Sequence, residues 1–386
     1  ALPIYDQSTG YVLEVDLDYP VHLHTSHNDY PLAPEKLKIT DNMLSSYCRE
    51  LKASLSCISG TTEKLVPNLN NKRRYILHYR NLRLYLELGM QLRYINRAIR
   101  YHQAPWMAPY INFNTEMRKQ AATDFEKDLF KLLNNAVFGK TMENVRQYKD
   151  VKLVTSPEKF TKLVANPRYK SSVIFDENLV AVSMSKRTVQ LCKPIYVGFS
   201  VLDLSKLYMY SFHYGYMVPK YGSRAKMCLT DTDSFIYLID CDDVYRDMVE
   251  EQHLFDTSNY QESHPLFSNQ NKKVLGKMKD ETAGIPIEEF VGLRPKMYSL
   301  MYNGTEKKRA KGVKKHTVAK LRHSQYRETL FRRCCRRDIM RMIRNDLHQL
   351  YTVEQNKLTL SPFDDKRYIL PDGISSLAYG HADIPQ

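Results

Sequence analysis

Seven cysteines lie along 386 residues with no Cys-x-x-Cys pair among them. That absence, with the odd count, argues against a zinc ribbon and against a closed disulfide framework. Free thiols in a chain of this size point to a reducing, intracellular compartment. No apolar run approaches the ~20 residues that a bilayer span needs. No secretory signal opens the chain either, so no membrane partner is expected. Internal repeats and low-complexity tracts are also absent. The first residue is Ala1 and not Met, and a piece of something longer is therefore expected.

What is present describes an ordinary globular composition, with 43% hydrophobic and 26% charged residues. The charge is unbalanced: 57 Lys plus Arg against 43 Asp plus Glu leave +14. Such a surplus favours a polyanionic partner. Tyrosine is abundant at 28 residues, often beside Arg or Lys, which suits stacking on bases next to phosphate contacts. A basic protein with tyrosines in its core has the same composition.

The most informative stretch runs from Lys226 to Ile239, where two apolar runs flank Asp231-Thr232-Asp233-Ser234. Four turn-forming residues between two such runs predict a β-hairpin with two carboxylates at its tip. Asp231 and Asp233 are two apart and so project to one side of extended backbone. Two carboxylates that close repel unless a cation lies between them, and hard oxygen ligands favour Mg²⁺. Two-metal phosphoryl or nucleotidyl transfer needs such a pair. Taken alone, the four residues fit an ordinary acidic hairpin turn better, because Asp and Ser are common in turns. An EF-hand loop fits poorly, because Phe235 and Tyr237 stand where ligands would fall.

Elsewhere the pattern is mixed. His22, His24 and His27 cluster near Asp29 and read as a loop with surface histidines. From Tyr79 to His102 the spacing of Leu84, Leu88, Leu92, Ile95 and Ile99 predicts a helix that Pro105 ends, with Arg93, Arg97 and Arg100 as a basic stripe. A second helix is expected from an Asn114 N-cap to about Phe138, with Phe125, Leu129, Leu132 and Ala136 buried and Gly139 closing it. Lys127, Lys131 and Asn135 form a row on another of its faces, and Lys119 falls on the same helix. Short strand-like runs occupy 151–190. A helix over Tyr196–Tyr214 should bury Val201, Leu204, Tyr208 and Phe212. Asn303-Gly304 is a hairpin turn. From Lys307 the chain is basic, through Lys311, Lys314 and Lys315 to a helix carrying Arg332-Arg333-Cys334-Cys335-Arg336-Arg337.

Three segments now fall into one order: Lys131-Leu132-Leu133-Asn134-Asn135-Ala136-Val137-Phe138-Gly139, then Asp231-Thr232-Asp233-Ser234, then Lys296-Met297-Tyr298. They resemble the K-x-x-x-N-S-x-Y-G, Y-G-D-T-D-S and K-x-Y motifs of family B DNA-directed DNA polymerases. The likeness is greatest to the protein-primed type of viruses, linear plasmids and Maverick/Polinton-like mobile elements. The texts His27-Asn28-Asp29-Tyr30-Pro31-Leu32-Ala33-Pro34 and Asp365-Lys366-Arg367-Tyr368-Ile369-Leu370 are similar to the mobile-element members as well.

The resemblance implies an α+β chain of palm, fingers and thumb architecture, with a partial palm, two-helix fingers, a β-rich insertion and a small thumb. Residues 1–74 would be palm-proximal, 75–144 fingers, 145–195 the insertion, 196–300 palm with the catalytic hairpin, and 301–386 thumb and C-terminal segment. Asp231 and Asp233 would be catalytic and would hold two Mg²⁺ ions in the complete site, with Asp233 ahead of Asp231 as the direct ligand. Lys131 and Asn135 would meet the incoming dNTP, with Lys127 and Lys119 as further phosphate contacts. Lys296 and Tyr298 would hold the primer end, and Lys311, Lys314 and Lys315 would grip a DNA primer-template through phosphates. A terminal protein as primer and a nuclear or viral replication site belong to the same expectation.

The chain departs from the family pattern at Thr230, Ala136 and Phe138, which replace Gly, Ser and Tyr. A first palm motif, D-x-x-S-L-Y-P or a variant, is lacking. Its nearest counterpart, Glu14-Val15-Asp16-Leu17-Asp18-Tyr19-Pro20, has the wrong spacing. The expected reading is a C-terminal fragment that starts after that motif; the other reading is a catalytically inactive, basic DNA-binding remnant.

Overall fold

The computed structural model describes residues 8–55, 62–346 and 349–385. In chain order the first elements are β1 (Thr9–Asp18), α1 (His24–His27), β2 (Glu35–Leu37), α2 (Ser46–Leu55), β3 (Lys64–Val66), β4 (Lys72–His78), α3 (Tyr79–Glu87) and β5 (Gln91–His102). Next come α4 (Ala108–Gln120), α5 (Asp124–Thr141), β6 (Asp150–Val154), α6 (Pro157–Val164), β7 (Tyr169–Asp176), β8 (Leu179–Met184), α7 (Ile195–Phe212) and α8 (Val218–Tyr221). Then follow β9 (Ala225–Thr230), β10 (Phe235–Ile239), α9 (Val244–Glu250), β11 (Glu289–Arg294), β12 (Met297–Tyr302) and β13 (Thr305–Ala310). The last are α10 (Lys315–Lys320), α11 (His323–Phe331), β14 (Arg336–Asp346), β15 (Gln349–Leu360), β16 (Tyr368–Ile369) and β17 (Ser376–Leu377). Two compact units result: one holds 1–115, 203–338 and 358–386, the other 116–202 and 339–357.

In the first unit, β1 is the centre of an antiparallel sheet of order β4-β1-β5. Alternation in β1 sends Leu13, Val15 and Leu17 into the core beside Leu77, Tyr79, Leu82 and Tyr85. Glu14, Asp16 and Asp18 line the other face. There Arg97 donates to Glu14 at 2.7 Å, the Arg74 N–H and Asn96 amide to Asp16 at 2.7 and 2.9 Å, and Arg93 to Asp18 at 2.7 Å. The Arg97 bond holds the Glu14 carboxyl below its ordinary range, and the Arg74 N–H does the same for Asp16. Ion pairs screened by solvent in this way add little net stability, so they bear more on the strand's register than on its stability.

This arrangement corrects the helix expected over 79–102. Only Tyr79–Glu87 is helical; Gly89, at φ +97°, stops it in the left-handed region that glycine tolerates. Beyond it two arginines of the expected helical stripe, Arg93 and Arg97, pair with Asp18 and Glu14 of β1, and Ile95 and Ile99 remain exposed. The histidine expectation is corrected too. His24 and His27 are buried, with the Tyr19 hydroxyl 2.8 Å from His27 Nδ1.

Three further cores complete this unit. Ile39, Leu44, Tyr47, Cys48, Leu51 and Val66 pack with Phe363 and Tyr379 near the C-terminus. Tyr216, Met217, Tyr221, Met248, Phe255, Tyr260 and Leu266 form another. The sheet β11-β12-β13 packs Val291, Leu293 and Met297 on Leu321 and Tyr326. The inward residues of α7 here include Asp203, Leu207 and Tyr210, whereas Val201 and Tyr208 are exposed. Asp203 decides that rotation: it accepts the N–H of His78 and, through its carbonyl, the amide of Asn81, both at 2.7 Å. The arginine run at 332–337 is not helical; Arg332 caps α11 and β14 begins at Arg336.

In the second unit, β6-β8-β7 form an antiparallel sheet covered by α6, with Val154, Val182 and Met184 buried against Phe160 and Leu163. Strands therefore occupy the stretch where short strands are expected. The long helix expected from Asn114 is two helices, because the helical run is interrupted at 121–123 and Thr123 starts α5 with a capping box to Glu126. Asn114 lies inside α4 and is buried, and α5 runs past Gly139 to Thr141. None of the α5 side chains is buried, and Phe125 is 77% and Leu132 62% exposed. Helical spacing told which residues share a face, not whether anything packs on it.

Candidate active site

Local chemistry builds the hairpin. Phe235 pairs with Thr230 across it, and the tip closes with the Asp231 N–H on Ser234 O (3.1 Å) and the Asp233 N–H on Asp231 O (2.7 Å). Thr232 takes φ +65°, the uncommon region a tight turn demands. Asp233 is exposed, and no hydrogen bond or ion pair engages its carboxylate among the described residues.

Asp231 does have a partner. Lys296, at φ +63° in the turn between β11 and β12, places its Nζ 2.9 Å from Asp231 Oδ1. The Lys311 N–H donates to Lys296 O at 2.9 Å. Register sets Tyr298 opposite Arg309 and Leu300 opposite Lys307, so Lys296, Lys311, Tyr298 and Arg309 line one side of β12 and β13. Lys314 and Lys315 follow, exposed at the start of α10. The residues expected to hold primer and template thus share the first unit with the carboxylates, and Lys296 touches one of them.

The phosphate candidates lie in the second unit. Lys127 is paired with Asp124 at 3.1 Å and Lys119 with Glu116 at 2.8 Å. Lys119 sits on α4 and not on the helix of Lys127 and Lys131, a further correction. Lys131 and Asn135 are exposed on α5, and Lys131 has no ion pair among the described residues. Asp16 and Asp18 are engaged with the arginines and Asn96 described above.

An aromatic bed carries the hairpin, and sequence reasoning missed it. Tyr30 meets Phe235 edge-on at 5.5 Å, Phe212 stacks on Phe235 at 6.2 Å, and His213 stacks on Tyr237 at 5.9 Å. The Tyr237 hydroxyl lies 2.9 Å from His213 Nδ1. Burial pushes His213 down to about 4 and Tyr30 up to about 12, so both are neutral near pH 7. His213 begins a π-helical turn, His213–Met217, that continues α7. Such insertions are frequent at functional sites. The alternation of apolar and aromatic residues in β10 was the one signal that could have pointed to this bed.

The donor set suits a hard cation with few protein ligands and several waters, since both groups are carboxylates and one of them is exposed. Among the described residues no group of three or more His, Cys, Asp or Glu is gathered for a metal. No described helix is long and apolar enough to cross a membrane.

No protein-family model matches the sequence, and no curated protein matches it. Among solved structures, the chain is similar to phi29 DNA polymerase complexed with primer-template DNA and incoming nucleotide substrates. The TM-score is 0.50 at 11% identity, over 93% of this chain and 52% of that one. The chain spans about half the length of that polymerase. At this identity the likeness is one of fold: this protein has a polymerase-like fold of mixed α and β type.

Proposed function

We propose that this chain is the carboxylate-bearing part of a family B, protein-primed type DNA polymerase, which transfers nucleotides from dNTPs to a primer 3′ end on a DNA template. The observation that carries the reading is the contact between Lys296 and Asp231. Two motifs distant in sequence, each unremarkable alone, meet at the tip of one hairpin. Asp233 and Asp231 would hold Mg²⁺, which when bound supplies charge for the attacking and leaving oxygens. Lys296 neutralises the site between turnovers and, with Tyr298 and Lys311, offers a basic and aromatic ledge for the primer strand. Lys314 and Lys315 bind duplex phosphates. Lys131 and Asn135 bind the triphosphate, with Lys127 and Lys119 released from their carboxylates as weaker contacts. A terminal protein would supply the priming hydroxyl, and a mobile element or virus would be the source.

The reading extends to incompleteness. Carboxylates from at least two strands are needed to share the charge of two ions, and Asp16 and Asp18 are committed to Arg73, Arg93, Asn96 and the Arg74 N–H. Primer extension with Mg²⁺ by this segment and by an upstream-extended form, each with and without Asp233→Asn, is the test. Extension by the long form alone, lost on substitution, supports the reading. Robust extension by the short form, lost on the same substitution, would make Asp16 or Asp18 the second carboxylate. DNA binding without extension in either form would favour the inactive remnant.

A further inference from the structure

The loop beneath the hairpin is itself held from the far end of the chain. Asp29 Oδ2 accepts the Met227 N–H in β9 at 3.3 Å, and Tyr30 O accepts the Tyr214 hydroxyl at 2.6 Å. From the other side Arg367 spreads its guanidinium over this loop. Its Nε donates to Ser376 Oγ at 2.7 Å, Nη1 to Asn28 O at 3.0 Å, and Nη2 to Asn28 Oδ1 and Ser376 O at 3.2 and 3.1 Å. Asn28 Oδ1 also accepts the Ala378 N–H at 2.8 Å, and its amide donates to Ser376 O and to Asp29 Oδ1 at 3.1 and 3.4 Å. An unbroken chain of bonds therefore runs from Arg367 through Asn28 and Asp29 to the backbone of β9.

We propose that Arg367 is a positioning residue for the Asp231–Asp233 hairpin, acting through Asn28 and Asp29, so that the C-terminal segment fixes where the two carboxylates stand. The inference rests on the polymerase reading of that hairpin. Its physical basis is the planar fork: one guanidinium satisfies acceptors on both Asn28 and Ser376 at once, through four bonds that an ammonium cannot match. Asn28 then has no freedom to swing, and Asp29 is delivered to the Met227 N–H. The plainer alternative is a clasp that secures only its own C-terminal segment.

The experiment uses the whole chain and two readouts: backbone hydrogen exchange by segment, and Mn²⁺ binding followed by electron paramagnetic resonance of the free ion. Arg367→Met should speed exchange over 225–239 by about tenfold or more, as local opening becomes easier. Mn²⁺ affinity should fall roughly threefold, with exchange in β4-β1-β5 unchanged. Arg367→Lys should recover part of both effects. Asp29→Ala should reproduce the hairpin effect and leave 365–379 as in the parent protein. Loosening confined to 365–379, with unchanged hairpin exchange and Mn²⁺ affinity, overturns the proposal. If Arg367→Met does not fold, Asp29→Ala decides alone, and an unaffected hairpin there also overturns it. Asp233→Asn separates the two readings: undiminished Mn²⁺ binding in that variant ends the metal assignment, while exchange still judges the positioning role of Arg367.

Discussion

Replacing Lys296 with Met should tighten divalent-cation binding at the hairpin while weakening the grip on primer-template. The ammonium lies 2.9 Å from Asp231 Oδ1, with the two side chains 48% and 32% exposed. A cation bound by Asp231 would stand about 5 Å from that ammonium. At bulk dielectric a divalent ion and a unit charge at that distance repel by about 1.7 kcal/mol, and at about 0.1 M salt screening reduces this to about 1 kcal/mol. The ion pair that must loosen adds about 0–1 kcal/mol in the same direction. Mn²⁺ affinity should therefore rise at least about fivefold in Lys296→Met. Duplex affinity should fall, and the slope of its salt dependence should flatten by about one unit, as expected when one phosphate is no longer neutralised. Opposite signs in the two assays distinguish this from general damage, which would weaken both. Unchanged or weaker Mn²⁺ binding would refute the electrostatic account of the Lys296–Asp231 contact.

DNA binding should be insensitive to sequence and steep in salt, and Lys314→Ala with Lys315→Ala should reduce the slope of log K against log salt by about one unit for each phosphate no longer neutralised. Strong base dependence with little salt dependence would contradict this. Lys72 is wholly buried against Glu35, Asn68 O and Asn68 Oδ1, and burial pushes it down to about 8. The unfolded chain, where lysine titrates at about 10.4, then holds more protons between about 8 and 10.4, so stability rises with pH across that window. Below about 8 the cost of the buried charge is fully present. Denaturation of the parent and of Lys72→Met between pH 7 and 10 should show a stability difference that changes with pH; a constant difference would contradict the shift. Gly304 has φ +68°, and a Cβ at that position would meet nothing within 4 Å, so Gly304→Ala should cost about 1 kcal/mol by backbone strain alone. Thermal unfolding reads it.

What the sequence revealed was what is decided within a few residues. The Asp231–Ser234 turn and the Asn303-Gly304 turn were legible because turn chemistry and flanking apolar runs are neighbours in the chain. The interruption between α4 and α5 at 121–123 was not foreseen, although Thr123 and Glu126 carry a capping-box signal. The segment 91–102 misled for a physical reason. Leu92, Ile95 and Ile99 keep helical spacing, yet Asp18 and Glu14 of β1 provide what Arg93 and Arg97 pair with, and Gly89 offers the stop. Contacts between distant segments were beyond reach: Arg367 and Asn28 are 339 positions apart, and neither residue type announces its partner.

That division bears on how such a site is held. A turn of Asp-Thr-Asp-Ser sets the spacing of two carboxylates but not their position, because a two-stranded hairpin is marginal on its own. Here its position is fixed by Tyr30, Phe212 and His213 on one side and by Lys296 on the other. His213 must be neutral for that packing: protonation would bury a charge against Tyr237 and Tyr30, away from any compensating carboxylate closer than Asp29. The folded pKa of about 4 lies below the ordinary 6.5, so the unfolded chain binds the extra proton first as pH falls. This contribution is fully present above about 6.5 and is lost on the way to 4. Acid should therefore loosen the hairpin's support, and His213→Gln should remove His213's share of that pH dependence. Hydrogen exchange over 225–239 at pH 5 and pH 7, corrected for intrinsic rates, reads the effect. An equal pH response in the parent and the variant would mean that the bed does not support the carboxylates in this way.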